Sequence, residues 1–186
     1  MTLFLLFTLA HLLGDYPFQT SWIYLQKTKG LPGQLLHVSI LGACFLILTA
    51  PLLSNRIVLN ALTLILVMHF LQDFLKIELV SKRGKIRPFP ALVLDQALHF
   101  ALLFGVTNRL NSVNLKIGFG ADLLGSPSLP WILFYLATLI LGTFTWDVVR
   151  FVWRNETKEL QHDWLALGLR GAIITIIFGA VYLLDC

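Results

Sequence analysis

Residues Leu62–Ile77 read LTLILVMHFLQDFLKI. Eleven of the sixteen are apolar, yet His69, Asp73 and Lys76 interrupt them at steps of four and three. On an α-helix those steps stack the three side chains on one face over about two turns. An ionisable group in so apolar a helix is costly against lipid, so it is expected to face inward and to have a partner. Two other stretches carry the same signature: His11 and Asp15 in AHLLGDY, and Asp95 and His99 in DQALHF. Three His/Asp pairs at spacing four thus lie in three separate hydrophobic stretches.

The chain around them has 186 residues, 57% hydrophobic and 13% charged. That is too apolar for a soluble domain of this length and predicts an all-α polytopic membrane protein, a single helical domain over residues 1–186. Met1–Leu13 is apolar enough for a signal-peptide core. It lacks a basic leading segment and a small-residue cleavage site, and it runs straight into His11 and Asp15, so it is expected to stay in the mature structure. Cys44 and Cys186 lie far apart, which argues against a disulfide framework or a thiolate metal site. The net charge of +4 bears on topology and predicts no nucleic-acid partner.

Six spans account for the hydropathy: about Thr2–Gln26, Gln34–Leu53, Ile57–Val80, Phe89–Thr107, Leu129–Phe151 and Trp164–Leu184, each near the twenty residues that cross ~30 Å of hydrocarbon. Six crossings place Lys27, Lys29, Lys82, Arg83, Lys85, Arg87, Arg150, Arg154 and Lys158 on one side, against Arg56, Arg109 and Lys116 on the other. The basic side is expected to be cytoplasmic, with both termini outside, in a bacterial inner membrane. Trp131, Trp153 and Trp164 fall at span ends, where interfacial anchors belong.

With that topology the intramembrane polar groups share one depth. Asp73, Asp95, His99, His37, Arg170 and Asp147 all fall in the inner half of their spans. Asp15, at 1.5 Å per residue, lies ~22 Å from the outer end of the first. A short internal echo accompanies this: HLLGD (11–15) recurs as HFLQD (69–73), the same offset takes His37 onto Asp95, and TFTWDVVR (143–150) parallels HFLQDFLK (69–76). A helical hairpin used three times would produce it.

Imidazole with carboxylate and no cysteine suits zinc, manganese or iron. Ligand pairs at i and i+4 projecting inward from several helices are a recurrent way to build a metal site in a bundle. The expected ligands are His11, Asp15, His69, Asp73, Asp95 and His99, with Asp73 also available as a general base and Lys76 to meet a substrate's negative charge. Beside this stands the plain structural reading, in which His and Asp on neighbouring helices hydrogen-bond as packing contacts worth ~0.6 kcal/mol each. Lys76 has its own plain reading, snorkelling to the interface. Gln19 and Gln96 are read either as donors behind the ligands or, as is commoner, as ordinary interhelical hydrogen-bond partners. His37 either joins the site or, as is commoner for a lone histidine near a span end, is structural; His162 is expected to be solvated. Arg170 is either an anion ligand or the countercharge of Asp147. Pro17 removes a backbone donor and frees the Leu13 carbonyl, so the first span should kink or break beside Asp15.

HLLGDYPFQ (11–19), HFLQDFLKI (69–77) and LDQALH (94–99) together resemble a bacterial inner-membrane family of unknown function, DUF3307, over most of the first 110 residues. The pattern is also similar, more loosely, to small membrane proteins described as metal-dependent hydrolases, and that similarity implies a hydrolase. The expectation is a metal-dependent membrane hydrolase acting on an amphiphile such as a lipid or lipid phosphate, with membrane lipids as its surroundings. Its rivals are a divalent-cation or proton transporter built on the same polar cluster, and a non-catalytic membrane scaffold. A transporter needs access from both faces, whereas the outer half of every span is nearly bare of polar groups.

Overall fold

The computed structural model describes residues 1–82, 86–115, 124–153 and 162–184, and every regular element among them is helical. In chain order these are α1 (Thr2–Asp15), α2 (Ser21–Lys29), α3 (Leu31–Leu48), α4 (Arg56–Ile77), α5 (Pro88–Asn111), α6 (Leu129–Ile140), α7 (Trp146–Trp153) and α8 (Trp164–Leu184). Wider π-type turns extend α4 over Glu78–Lys82 and join α6 to α7 over Leu141–Thr145. Five helical stretches are long and apolar enough to cross a membrane: Leu31–Leu48, Arg56–Val80, Pro88–Asn111, Leu129–Trp153 and Trp164–Val181. This is the make-up of a polytopic membrane protein. Of the basic residues that set the expected topology, Arg83, Lys85, Lys116, Arg154 and Lys158 lie outside the described residues, as does Cys186.

The first expected span is divided. α1 has 14 residues, about 21 Å of helix, and ends at Asp15. Pro17 cannot donate to the Leu13 carbonyl, and the Phe18 N–H takes its place at 3.0 Å, so the chain turns without leaving that carbonyl unpaired. α2 then starts afresh, its Thr20 hydroxyl accepting from the Ile23 N–H at 3.3 Å as an N-cap.

α2 folds straight back onto α3. Gly30 makes the turn with φ at 152°, a conformation that residues with a Cβ rarely adopt. Three residues on, a Cβ at Gly33 would stand 1.9 Å from the Gln26 carbonyl oxygen and 2.6 Å from the Lys27 nitrogen. Only glycine lets the two backbones lie this close, and the contact sets where Lys27 points.

Helices α1, α3, α4 and α5 pack with their inward faces in register. On α4 that face is Val58, Leu62, Ile65, His69, Asp73 and Ile77. On α5 it is Ala91, Asp95, His99, Leu103, Thr107 and Leu110. His37 is followed by Leu41 and Phe45 on α3, and His11 and Asp15 are preceded by Phe7 and Ala10 on α1. Each face is therefore apolar along one half and ionisable along the other. The apolar halves meet in a dry plug, where the Phe7 and Phe45 rings pack edge to face at 5.6 Å. Leucines, isoleucines and phenylalanines cover the outward faces, as a lipid solvent requires.

α6 packs along α1, adding Leu129, Leu133, Ala137 and Ile140 to the same apolar core, and α7 and α8 carry an ion pair of their own. Arg170 Nη2 donates to Asp147 Oδ1 at 2.6 Å, so Arg170 serves as the countercharge of Asp147. His162, expected to be solvated, instead stands with Nδ1 2.9 Å from Asp147 Oδ2. Arg170→Leu leaves Asp147 without its fixed charge. The expected cost is about 2 kcal/mol, discounted for partial exposure from the 3–5 typical of a broken buried pair. Unfolding in detergent should show it as a lower midpoint, and Asp147→Leu added to Arg170→Leu should recover most of the loss.

Candidate metal centre

The ionisable halves of the four inward faces meet in one buried layer. His11 and Asp15 enter it from α1, His37 from α3, His69 and Asp73 from α4, and Asp95 and His99 from α5, all buried. All six residues expected as ligands lie in it, alongside His37. Lys76 reaches it too: its ammonium is 2.5 Å from Asp95 Oδ2 and 3.2 Å from Asp73 Oδ1, turned into the bundle rather than out to the interface.

Four donor atoms crowd together at its centre. His37 Nε2 and His69 Nε2 stand 3.0 Å apart. Asp73 Oδ2 is 3.4 Å from the first and 3.0 Å from the second. Asp15 Oδ1 is 3.2 Å and 3.4 Å from the same two nitrogens. Tetrahedral bonds of about 2.0–2.1 Å to zinc hold neighbouring ligand atoms about 3.3 Å apart, so these separations match the edges of a coordination polyhedron. Asp15 Oδ1 and both Asp73 oxygens are buried and accept no hydrogen bond although both rings are so close. Packing contacts between His and Asp ordinarily use such oxygens.

Charge sets Asp15 apart from the other two carboxylates. Asp73 and Asp95 each have an ammonium at contact. Among the described residues Asp15 has only imidazoles within ion-pair reach, those of His11 at 3.7 Å and of His37 and His69. A buried carboxylate without a fixed countercharge is expensive, and either a proton on a ring or a bound cation supplies one.

The ligand atoms of two groups lie within 4.8 Å of one another: His37, His69 and Asp73, and His11, Asp15 and His69. Asp95 and His99 belong to neither. His99 donates from Nδ1 to the Asp95 backbone carbonyl at 2.7 Å, which fixes its tautomer and leaves Nε2 bare. That Nε2 and His11 Nε2 are both buried without a hydrogen bond, and the two rings stack at 4.9 Å. The Gln96 amide donates to Asp15 Oδ2 at 3.4 Å and to Asp95 Oδ2 at 3.3 Å, which makes it the interhelical link expected of it.

Two members of the layer escape sequence reasoning. His37 has no acid four residues away, and its traces are the shared depth and the offset that carries it onto Asp95. Lys27 reads as part of a basic loop, KTKG, on the cytoplasmic side. In the structure it is 3% exposed, with its ammonium 2.5 Å from Asp73 Oδ2 and donating to Gln19 Oε1 at 3.1 Å. Nothing local in the sequence marks it, because its direction comes from the Gly33 contact between α2 and α3.

The sequence profile of the family described as protein of unknown function (DUF3307) matches residues 3–121, a stretch that contains every residue of this layer. The chain belongs to that family. Among curated proteins and among solved structures nothing matches it.

Proposed function

We propose that this member of the DUF3307 family is a metal-dependent membrane hydrolase, with a divalent ion of the zinc, manganese or iron class held by His37, His69 and Asp73 and an amphiphilic substrate drawn from the bilayer. The observation that carries this reading is the 3.0–3.4 Å spacing of buried donor atoms brought together from two helices, His37 from α3 and His69 and Asp73 from α4. This triad is tighter than the one through His11, whose Nε2 is 3.7 Å from Asp15. With Asp15 Oδ1, the fourth atom of the cluster, assigned as base and not as ligand, three protein ligands leave a position open, the arrangement of catalytic rather than structural zinc. Held by these three residues, a divalent ion would supply a water of near-neutral pKa and a Lewis acid toward a phosphoryl or carbonyl oxygen.

The chain's own residues do the rest. Asp15 Oδ1, beside both ligand rings and without a hydrogen bond, is the base that takes the water's proton. Lys76 holds Asp73 and Asp95 in place and meets negative charge that develops on the substrate. His11, His99 and Asp95 line the far wall of the layer. The apolar plug of Phe7, Leu41, Phe45 and Leu62 keeps bulk water from the outer side, which favours a reaction centre over a through-path for ions.

The same reading places the protein in a bacterial inner membrane with basic loops in the cytoplasm and both termini outside. It crosses six times, with α1 and the Tyr16–Thr20 segment together making the first crossing. The hairpin echoes at 11–15, 69–73 and 143–147 would be copies of one ancestral unit.

Elemental analysis of purified wild-type, Asp73→Asn and His99→Ala protein tests the site. Wild type and His99→Ala should carry stoichiometric metal and Asp73→Asn should not. Equal trace amounts in all three would remove the metal from the account. Turnover of an ester or phosphoester amphiphile without metal uptake into proteoliposomes separates hydrolase from transporter.

A further inference from the structure

The charges of the polar layer do not balance once a metal is added. Among the described residues of the layer three carboxylates, Asp15, Asp73 and Asp95, face two ammoniums, Lys27 and Lys76. With neutral imidazoles the layer carries one negative charge, and a divalent cation turns that into one positive charge. In a site walled by hydrocarbon an uncompensated charge is costly, so the loaded centre calls for an anion.

Geometry says where the anion goes and what kind it is. The two ammoniums sit on different oxygens of Asp73, Lys27 on Oδ2 and Lys76 on Oδ1. Oδ2 is also the oxygen within ligand distance of His37 and His69. Coordination of that oxygen takes away the partner Lys27 now has. An anion that reaches Lys27, Lys76 and the metal together needs three separate oxygens, which a phosphate group has and a carboxylate has not.

The way in is also marked. The plug closes one side of the layer; toward the other, α2 lies along α3 with Ile23 and Lys27 buried beneath it. The outer face of α2 carries Trp22 at 60% exposure, with Tyr24 and Leu25 exposed beside it. A short helix with one lysine, Lys27, turned inside while Trp22, Tyr24 and Lys29 face out suits the boundary between headgroups and acyl chains.

Resting on the metal-centre reading, we infer that the loaded layer is a phosphate-headgroup site entered beneath α2, in which Lys27 exchanges Asp73 for a substrate oxygen. Lys27 is then the residue that selects an anionic head.

The test is equilibrium binding of radiolabelled orthophosphate and of dihexanoyl phosphatidic acid to detergent-purified protein, with and without added zinc, metal content being measured in every sample. Metal-loaded wild type should bind at least one of the two, and metal-free protein more weakly. Phosphatidic acid alone would mean that the head needs its acyl chains; both would mean that free phosphate also enters. Lys27→Met should retain metal and lose about tenfold or more in anion affinity, the value of one charge-assisted hydrogen bond. Lys27→Arg should restore it, and Lys29→Met, at an exposed neighbour, should match wild type. Metal-loaded Lys27→Met that binds as wild type does, or metal-loaded wild type that binds neither probe, overturns the assignment while leaving the metal centre standing. Wild type that takes up no metal overturns both.

Discussion

His69→Gln protein is expected to purify with its fold intact and its metal gone. His69 is the residue common to both candidate ligand groups, and its Nε2 lies 3.0 Å from both His37 Nε2 and Asp73 Oδ2. Glutamine occupies nearly the same volume, so the buried position does not become a cavity, but it offers an amide where the imidazole lone pair had been. Losing a partner that merely orients a ligand costs 10–100-fold in metal affinity, so losing a ligand should cost more than about 100-fold. Elemental analysis after gel filtration reads the metal, and circular dichroism of the same sample reads the helices. His11→Gln is the informative companion. It touches only the wider of the two groups, and metal should remain. Metal retained by His69→Gln and lost by His11→Gln would move the centre to α1.

The second large effect is expected at a residue that touches no substrate. Gly33→Val drives a side chain into the Gln26 carbonyl, where even a Cβ would stand at 1.9 Å. Backbone on both sides cannot yield as a flexible side chain would, so α2 must leave α3. Overpacking of this kind costs about 3 kcal/mol or more, and it falls on the attachment of α2 rather than on the bundle. Amide exchange over Ser21–Lys29 should therefore accelerate at least about tenfold, while α4 and α5 keep their protection. Lys27 leaves Asp73 with α2, so anion affinity should fall in this variant as it does in Lys27→Met. Unchanged exchange over α2 would mean that the Gly33 contact does not hold it.

The difference between these two residues shows what the sequence makes legible. His69 announces itself: an imidazole and an acid four apart in an apolar run have to share a face and be buried. The same logic locates His11, Asp15, Asp95 and His99, and the matching depths of the three pairs foretell that they meet. The break in the first span is legible too, since Pro17 cannot complete the helix. Lys27 is not. Its neighbours are polar, its helix is nine residues long, and what buries it is a backbone contact with a glycine on another element. His37 falls between the two cases, because a single histidine without an acid in register carries no periodic mark. Periodicity tells which way a side chain faces on its own helix. It is silent on which atoms from different helices arrive within bonding distance, and the ligand set is a fact of that second kind.

X-ray absorption at the edge of the metal in purified wild-type protein tests the centre most directly. The account predicts one ion per chain with a shell of nitrogen and oxygen at about 2.0–2.1 Å and no sulfur, the outer scattering showing two imidazoles, and that signal should disappear in His69→Gln. A shell without imidazole, or a protein that holds no ion above background after reconstitution, would contradict it.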